Sequence, residues 1–217
     1  MKAIAIVSGG MDSVTLAYLL ASQGHALHLL SFDYGQRHLK ELDYARRCAA
    51  KLGAQYDVID LSTLTHLLRG SALTDAIAVP EGHYAAPSMA VTVVPNRNAV
   101  MLAIAYAVAV AEGAERVAIG VHAGDHPVYP DCRPSFIGAF EAMEVRATDR
   151  DIELYAPFVY MGKQDIVAVG AQLGVPYADT WSCYKGGKFH CGKCGTCVER
   201  REAFLLAGVN DPTEYQA

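Results

Sequence analysis

Apolar-rich runs and helically spaced apolar segments alternate along this chain. The short runs are Ala3–Val7, Ala26–Phe32, Tyr56–Leu61, Arg116–Val121 and Ile152–Tyr155. Runs of this length, bounded by turn residues, read as strands. Between them, Ser13–Gln23, Arg37–Leu52, Asn98–Glu112, Phe136–Arg146 and Lys163–Leu173 carry helical spacing. Gly53, Gly113 and Gly174 follow three of these segments, where glycine commonly closes a helix. The alternation predicts an α/β protein, a Rossmann-like doubly wound parallel sheet with helices on both faces.

One stretch breaks the rhythm. Residues 70–95 are irregular and hold Pro80, Pro87 and Pro95, so they read as a long functional loop, with a short helix near 64–69. No repeat or linker divides the 217 residues, and one domain spanning 1–217 is expected. The longest apolar run, Ala99–Ala111, is short of the roughly 20 residues a membrane span needs, so it reads as a core helix. The apolar run behind Lys2 is too short for a secretory signal. A cytoplasmic protein without a membrane partner is expected.

Composition agrees: 52% hydrophobic and 19% charged residues describe a globular chain. The net charge of −5 argues against a general nucleic-acid surface but leaves room for a small basic pocket.

In an open parallel sheet, ligands bind beyond the carboxyl ends of the strands. Four polar segments fall at such ends or at helix starts. They are Ser8–Ser13, Asp33–His38, Pro95–Asn98, and His122–His126 continued by Tyr129–Arg133. The first reads Ser-Gly-Gly-Met-Asp-Ser between a strand and a helix. Such a turn aims backbone N–H groups and the positive end of the helix at an anion. Neither Gly-x-x-x-x-Gly-Lys-Ser/Thr nor Gly-x-Gly-x-x-Gly occurs in the chain. The plain alternative is an ordinary turn with Ser13 as helix cap.

Six cysteines are present, and Cys183, Cys191, Cys194 and Cys197 cluster within fifteen residues. Four soft ligands at this spacing suit one structural Zn2+ per chain, making 183–197 a zinc-binding element. An iron–sulfur cluster, a redox pair at Cys191/Cys194 and buried free thiols are the other readings. His190 is a substitute ligand that four cysteines make unnecessary. Cys48 reads as core, and Cys132 lies among the crevice segments.

The hexapeptide resembles the signature of the PP-loop ATPases. That resemblance implies a loop holding the β,γ-pyrophosphate of ATP, so that the α–β bond breaks and a substrate oxygen is adenylated. ATP contacts are then expected at Val7, Ser8, Gly9, Gly10, Met11, Asp12, Ser13, Val14 and Thr15. Lys163 is expected as a second phosphate contact, and Asp12 caps the helix or meets Mg2+ through the nucleotide.

A closer resemblance runs along nearly the whole chain. Ser8-Gly-Gly-Met-Asp-Ser13, Phe32-Asp-Tyr-Gly-Gln-Arg-His38, Pro95-Asn-Arg-Asn98, Tyr129-Pro-Asp-Cys-Arg133 and the four cysteines resemble the preQ0-forming QueC family, the 7-cyano-7-deazaguanine synthases. Many relatives carry glycine where this chain has Asn96, and His122–His126 also departs from the family form. The resemblance implies an ATP-dependent carbon–nitrogen ligase of queuosine biosynthesis. It would adenylate 7-carboxy-7-deazaguanine, let ammonia displace AMP, then activate the amide with a second ATP to give the nitrile. It also implies a homodimer, while the acidic balance leads to the expectation of no nucleic-acid partner.

Within that reading the catalytic candidates are Asp12, Arg97, His122 and Asp125. The substrate-binding candidates are Asp33, Tyr34, Gln36, Arg97, Asn98, His122, Asp125, Tyr129, Asp131 and Arg133. Arg97 and Arg133 are suited to grip an anion. Asp125 or Asp131 would accept from a guanine-like donor edge. His122 or His126 would move protons. A relative stopping at the amide, a tRNA thiolase or lysidine-type ligase, and a non-enzymatic nucleotide-binding module are the competing readings.

Overall fold

The computed structural model describes residues 1–216. Five strands, β1 (Lys2–Ile6), β2 (Ala26–Asp33), β3 (Gln55–Asp60), β4 (Arg116–Ala118) and β5 (Glu153–Tyr155), form one sheet. All pairings are parallel, in the order β3-β2-β1-β4-β5. The central strand carries register on both sides, Ala5 opposite Leu29 and opposite Ala118. The chain winds outward from β1 to β3, then crosses back to β4 and β5. The point of reversal lies between β1 and β4, where such sheets open a crevice.

The period-2 alternation of a strand feeds two cores from one short segment. Ile4 and Ile6 pack with Leu102, Ala105 and Tyr106 of α3 (Arg97–Glu112) and with Ile137 and Phe140 of α4 (Pro134–Thr148). Ala3, Ala5 and Val7 face Val14, Leu16 and Ala17 of α1 (Met11–Ser22) and Ile166 and Val167 of α5 (Lys163–Gln172). The same face takes Ala45, Cys48 and Ala49 of α2 (Lys40–Leu52) and Phe204 of α6 (Gly195–Ala207).

Several boundaries move. The α2 helix starts at Lys40 rather than Arg37, with Leu39 as its N-cap, and the Arg37 amide donates to Leu73 O. Residues 62–67 form a 3-10 turn in place of the helix expected at 64–69. Strand β4 ends at Ala118, and residues 119–121 run on toward the crevice. The irregular stretch is partly core, with Leu73, Tyr84, Met89 and Val94 buried under α3. Helix α6 has no counterpart among the predicted elements. Gly208, left-handed at φ 65°, closes it as expected of such a stop. Among the described residues, no helix is long and apolar enough to cross a membrane.

Candidate active site

The loop after β1 is held open by its own hydroxyls. Ser13 Oγ accepts from the Ser8 amide at 3.1 Å and donates to Gly10 O at 3.1 Å. Gly9 has φ +87° and accepts at its carbonyl from the Trp181 amide at 2.9 Å. A Cβ at Gly9 would stand 2.2 Å from Glu41 O, so only glycine lets α2 pack this closely. Gly10 is the N-cap of α1. The first-turn amides of Met11, Asp12 and Ser13 therefore lack intrahelical acceptors and face outward as an anion cradle.

Lys163, the first residue of α5, reaches across to this loop. Its Nζ lies 2.7 Å from Asp12 Oδ2, 3.1 Å from Glu199 Oε2 and 3.1 Å from His122 Nε2. Burial works against its charge, but Asp12, Glu199 and Asp125 outweigh that and hold Lys163 above the ordinary lysine range. Asp12 Oδ1 is buried with no hydrogen-bond partner, an acceptor left free beside the cradle.

His122 is only 1% exposed and sits behind Lys163. Its Nδ1 accepts from the Gly124 amide at 3.1 Å, and Lys163 Nζ lies 3.1 Å from its Nε2. That nitrogen faces Asp125 Oδ1 at 3.4 Å. Asp125 also accepts from Tyr84 OH at 2.9 Å and from the His122 amide at 3.1 Å.

At the other end of the cleft, Arg97 Nη1 donates to Tyr34 OH at 3.1 Å. Tyr129 OH pairs with Thr92 Oγ1 at 2.7 Å. All four predicted polar segments contribute to one cleft of about 1360 Å³, counted with its open mouth.

The candidates divide by position. Val7, Ser8, Gly10, Met11, Asp12, Ser13, Tyr34, Gln36, Arg97, Asn98, Asp125, Tyr129 and Lys163 line the cleft. Gly9, Val14, Thr15 and His122 stand behind this lining. Thr15 Oγ1, for example, donates to Met11 O inside α1. Asp33 and Asp131 are not brought to the cleft wall. Asp33 accepts from the Gly35 amide at 3.0 Å, and Asp131 from the Asn98 amide at 2.9 Å, closing the start of α3. Arg133 is exposed, with Nε on His126 O at 3.0 Å, because it precedes α4 on the outer side. Gln36 lines the cleft while bracing its own turn through the Tyr34 amide and Phe32 O.

Sequence reasoning passed over Glu41, Tyr84, Trp181, Ser182 and Tyr184, which also line the cleft, and Glu199 behind it. Tyr184 and Glu199 could have been found from their places one and two residues beyond Cys183 and Cys197. Glu41 follows the Gln36-Arg-His38 segment by one helical turn.

The four cysteines of the C-terminal cluster are buried, and their Sγ atoms all lie within 4.8 Å of one another. A tetrahedral ion with metal–sulfur bonds of about 2.3 Å sets its sulfurs about 3.8 Å apart. The set therefore fits a single metal ion. Cys194 is also the N-cap of α6, so the cluster fixes where the helix bearing Glu199 begins.

A parallel sheet wound 3-2-1-4-5, with a hydroxyl-rich loop after β1, is the fold of PP-loop ATPases. An NMN synthetase structure from Francisella tularensis shares the fold, with TM-score 0.54 and 17% identity over 96% of this chain and 77% of that one. The chain belongs to the queuosine biosynthesis protein QueC family, whose model matches residues 2–208. It is 60% identical to the 7-cyano-7-deazaguanine synthase of Brucella anthropi, covering 100% of this chain and 94% of that protein. It is 61% identical to the 7-cyano-7-deazaguanine synthase of Rhizobium meliloti, covering 99% and 92%.

Proposed function

We propose that the protein is an ATP-dependent ligase that converts 7-carboxy-7-deazaguanine and ammonia to 7-cyano-7-deazaguanine. The observation that carries this is a single cleft with a phosphate cradle and Lys163 at one end and Arg97 among tyrosines at the other. A carboxylate is a poor electrophile, so it needs a leaving group. Its oxygen attacks the α-phosphorus of ATP, the α–β bond breaks, and pyrophosphate leaves into the loop. The amides of Met11, Asp12 and Ser13 with Lys163 hold the departing charge.

Ammonia then adds at the acyl carbon, and AMP leaves with the bond electrons to give the amide. The amide oxygen attacks a second ATP in the same way. Loss of AMP and the remaining N–H protons forms the nitrile. His122 and Tyr84 hold Asp125 in place, and Arg97 faces the substrate carboxylate.

Asp12 Oδ1 fits a contact to nucleotide-bound Mg2+, as an unpartnered carboxylate oxygen beside the cradle. The four cysteines fit Zn2+, which would brace the C-terminal segment. A four-iron cluster sets more atoms between its thiolates and suits wider spacing. One zinc per chain by elemental analysis is expected, and a brown iron protein would overturn that assignment.

Incubation with carboxy-deazaguanine, ammonia and Mg-ATP tests the reaction. Mass spectrometry should find the nitrile with two AMP per product. An amide-only product, or no AMP, would sink the mechanism.

A further inference from the structure

Most carboxylates near the cleft are already committed to the protein. Asp33 and Asp131 hold backbone amides, Asp125 holds Tyr84 and His122, and Asp12 pairs with Lys163. Glu41 differs. It stands in the first turn of α2 and lines the cleft, yet its carboxylate has no hydrogen-bond or ion-pair partner among the described residues.

Arg97 lines the same cleft from the start of α3. Its charge acts on Glu41, but the two come no closer than 4.0 Å, the limit of an ion pair. A cation and an anion kept apart in one cavity fit a ligand with complementary ends. The space they share is walled by Tyr34, Tyr84, Tyr129 and Tyr184, suited to a flat ring.

We propose that Glu41 selects the base, its two carboxylate oxygens accepting the adjacent ring N–H and exocyclic amino hydrogens of a guanine-type edge while Arg97 takes the ligand's carboxylate. The assignment rests on the deazaguanine reading above. An ionised carboxylate is acceptor-only and matches two parallel donors. Burial pushes the Glu41 carboxyl up to about 7, against the pull of Arg97. An unpartnered acceptor on the cleft wall is one that the ligand's donors complete.

The test compares 7-carboxy-7-deazaguanine with its analogue lacking the exocyclic amino group, in the full-length protein with Mg-ATP. Wild type should disfavour the analogue by about 100-fold or more in kcat/KM, because a site built for a donor rejects the ligand without it. In Glu41→Gln the KM for the base should rise at least tenfold, with the KM for ATP unchanged. The preference over the analogue should collapse below about tenfold. Glu41→Asp should keep the preference at a raised KM.

A wild type that accepts the analogue equally well overturns the assignment without any variant. So does an E41Q protein that keeps the preference, or one whose KM rises for ATP instead. If wild type turns over neither base, the deazaguanine reading itself has failed. If it turns over the base and only the Glu41 outcomes fail, that reading stands and Glu41 is excluded.

Discussion

The two ends of the sheet carry two polar networks of similar make-up and opposite completeness. At the amino end, His28 of β2 is buried with Nε2 2.8 Å from Asp57 and Nδ1 3.0 Å from Glu112, which also meets Lys2 at 2.7 Å. Both nitrogens of that ring are satisfied. At the carboxyl end, Asp12, Lys163, His122 and Glu199 crowd as closely, but Asp12 Oδ1 is left over and Glu41 has no partner. Glu199 Oε2 lies near Lys163 yet out of line for a hydrogen bond. Buried polar groups are normally paired. Of these two networks the unfinished one is therefore the one a ligand completes, and the finished one holds strands together; His25 Nδ1, buried and unpaired just before β2, lines no part of the cleft.

The cysteine cluster tests this contrast most severely, because its four thiols fit an ion that would finish it. Chelating the metal, or Cys194→Ser, should release the start of α6 and with it the Glu199 contact to Lys163. Structural zinc sites contribute on the order of 10 kcal/mol, and about 2–4 °C of Tm follows each kcal/mol in a chain this size. Thermal unfolding with and without chelator should show Tm falling by more than about 10 °C. An unchanged Tm would show the thiols to be complete without metal.

Lys163→Ala removes the cation at the unfinished end. Base-dependent ATP/pyrophosphate exchange should fall by about 10³-fold, the scale of losing one preorganised charge at a developing anion. Exchange within tenfold of wild type would make Lys163 a partner of Asp12 and Glu199 only.

The legibility of the molecule follows the same division. The strand–helix rhythm and the loop were readable because both are local. Buried runs, helical spacing and Ser8–Ser13 each lie within a few residues. Helix α6 was overlooked because its first turn is the cysteine motif, and metal spacing masked the helical pattern of Val198–Leu206. Residue types gave Asp131 and Arg133 a place in the crevice, but backbone geometry decided otherwise. Asp131 turns to the free amide of Asn98, and Arg133 lies on the outer side of the turn into α4. Glu41 carries no motif signal of its own in the sequence. Only the packing of α2 on Gly9 brings it inside.

His28→Leu should sharpen the contrast from the finished end. The ring is buried, while Asp57 stays more than half exposed, so the loss is that of a partly screened pair, about 1–3 kcal/mol. Urea unfolding should register it, and kcat/KM for ATP and for the base should stay within about twofold. A raised KM for the base would mean that the two ends are coupled through β2, and the contrast would fail.

The smallest effect separates the two networks by pH. Glu41 faces Arg97 and Tyr34, and burial raises its carboxyl to about 7. Below that pH it takes up a proton and loses its capacity as a two-fold acceptor, so the KM for the base should rise about tenfold per unit. The nucleotide's own phosphates titrate nearby, so the KM for ATP is measured in parallel, and the base-specific part should vanish in Glu41→Gln. Stability should move in the opposite sense. A carboxyl raised in the folded state holds its proton when the unfolded chain has lost it, so stability falls as pH climbs from the ordinary carboxylate range through 7. Glu41→Gln should then match wild type at pH 4 and exceed it in urea midpoint at pH 8. A variant less stable at pH 8 would show that Glu41 already has a partner, and that this end of the cleft is as finished as the other.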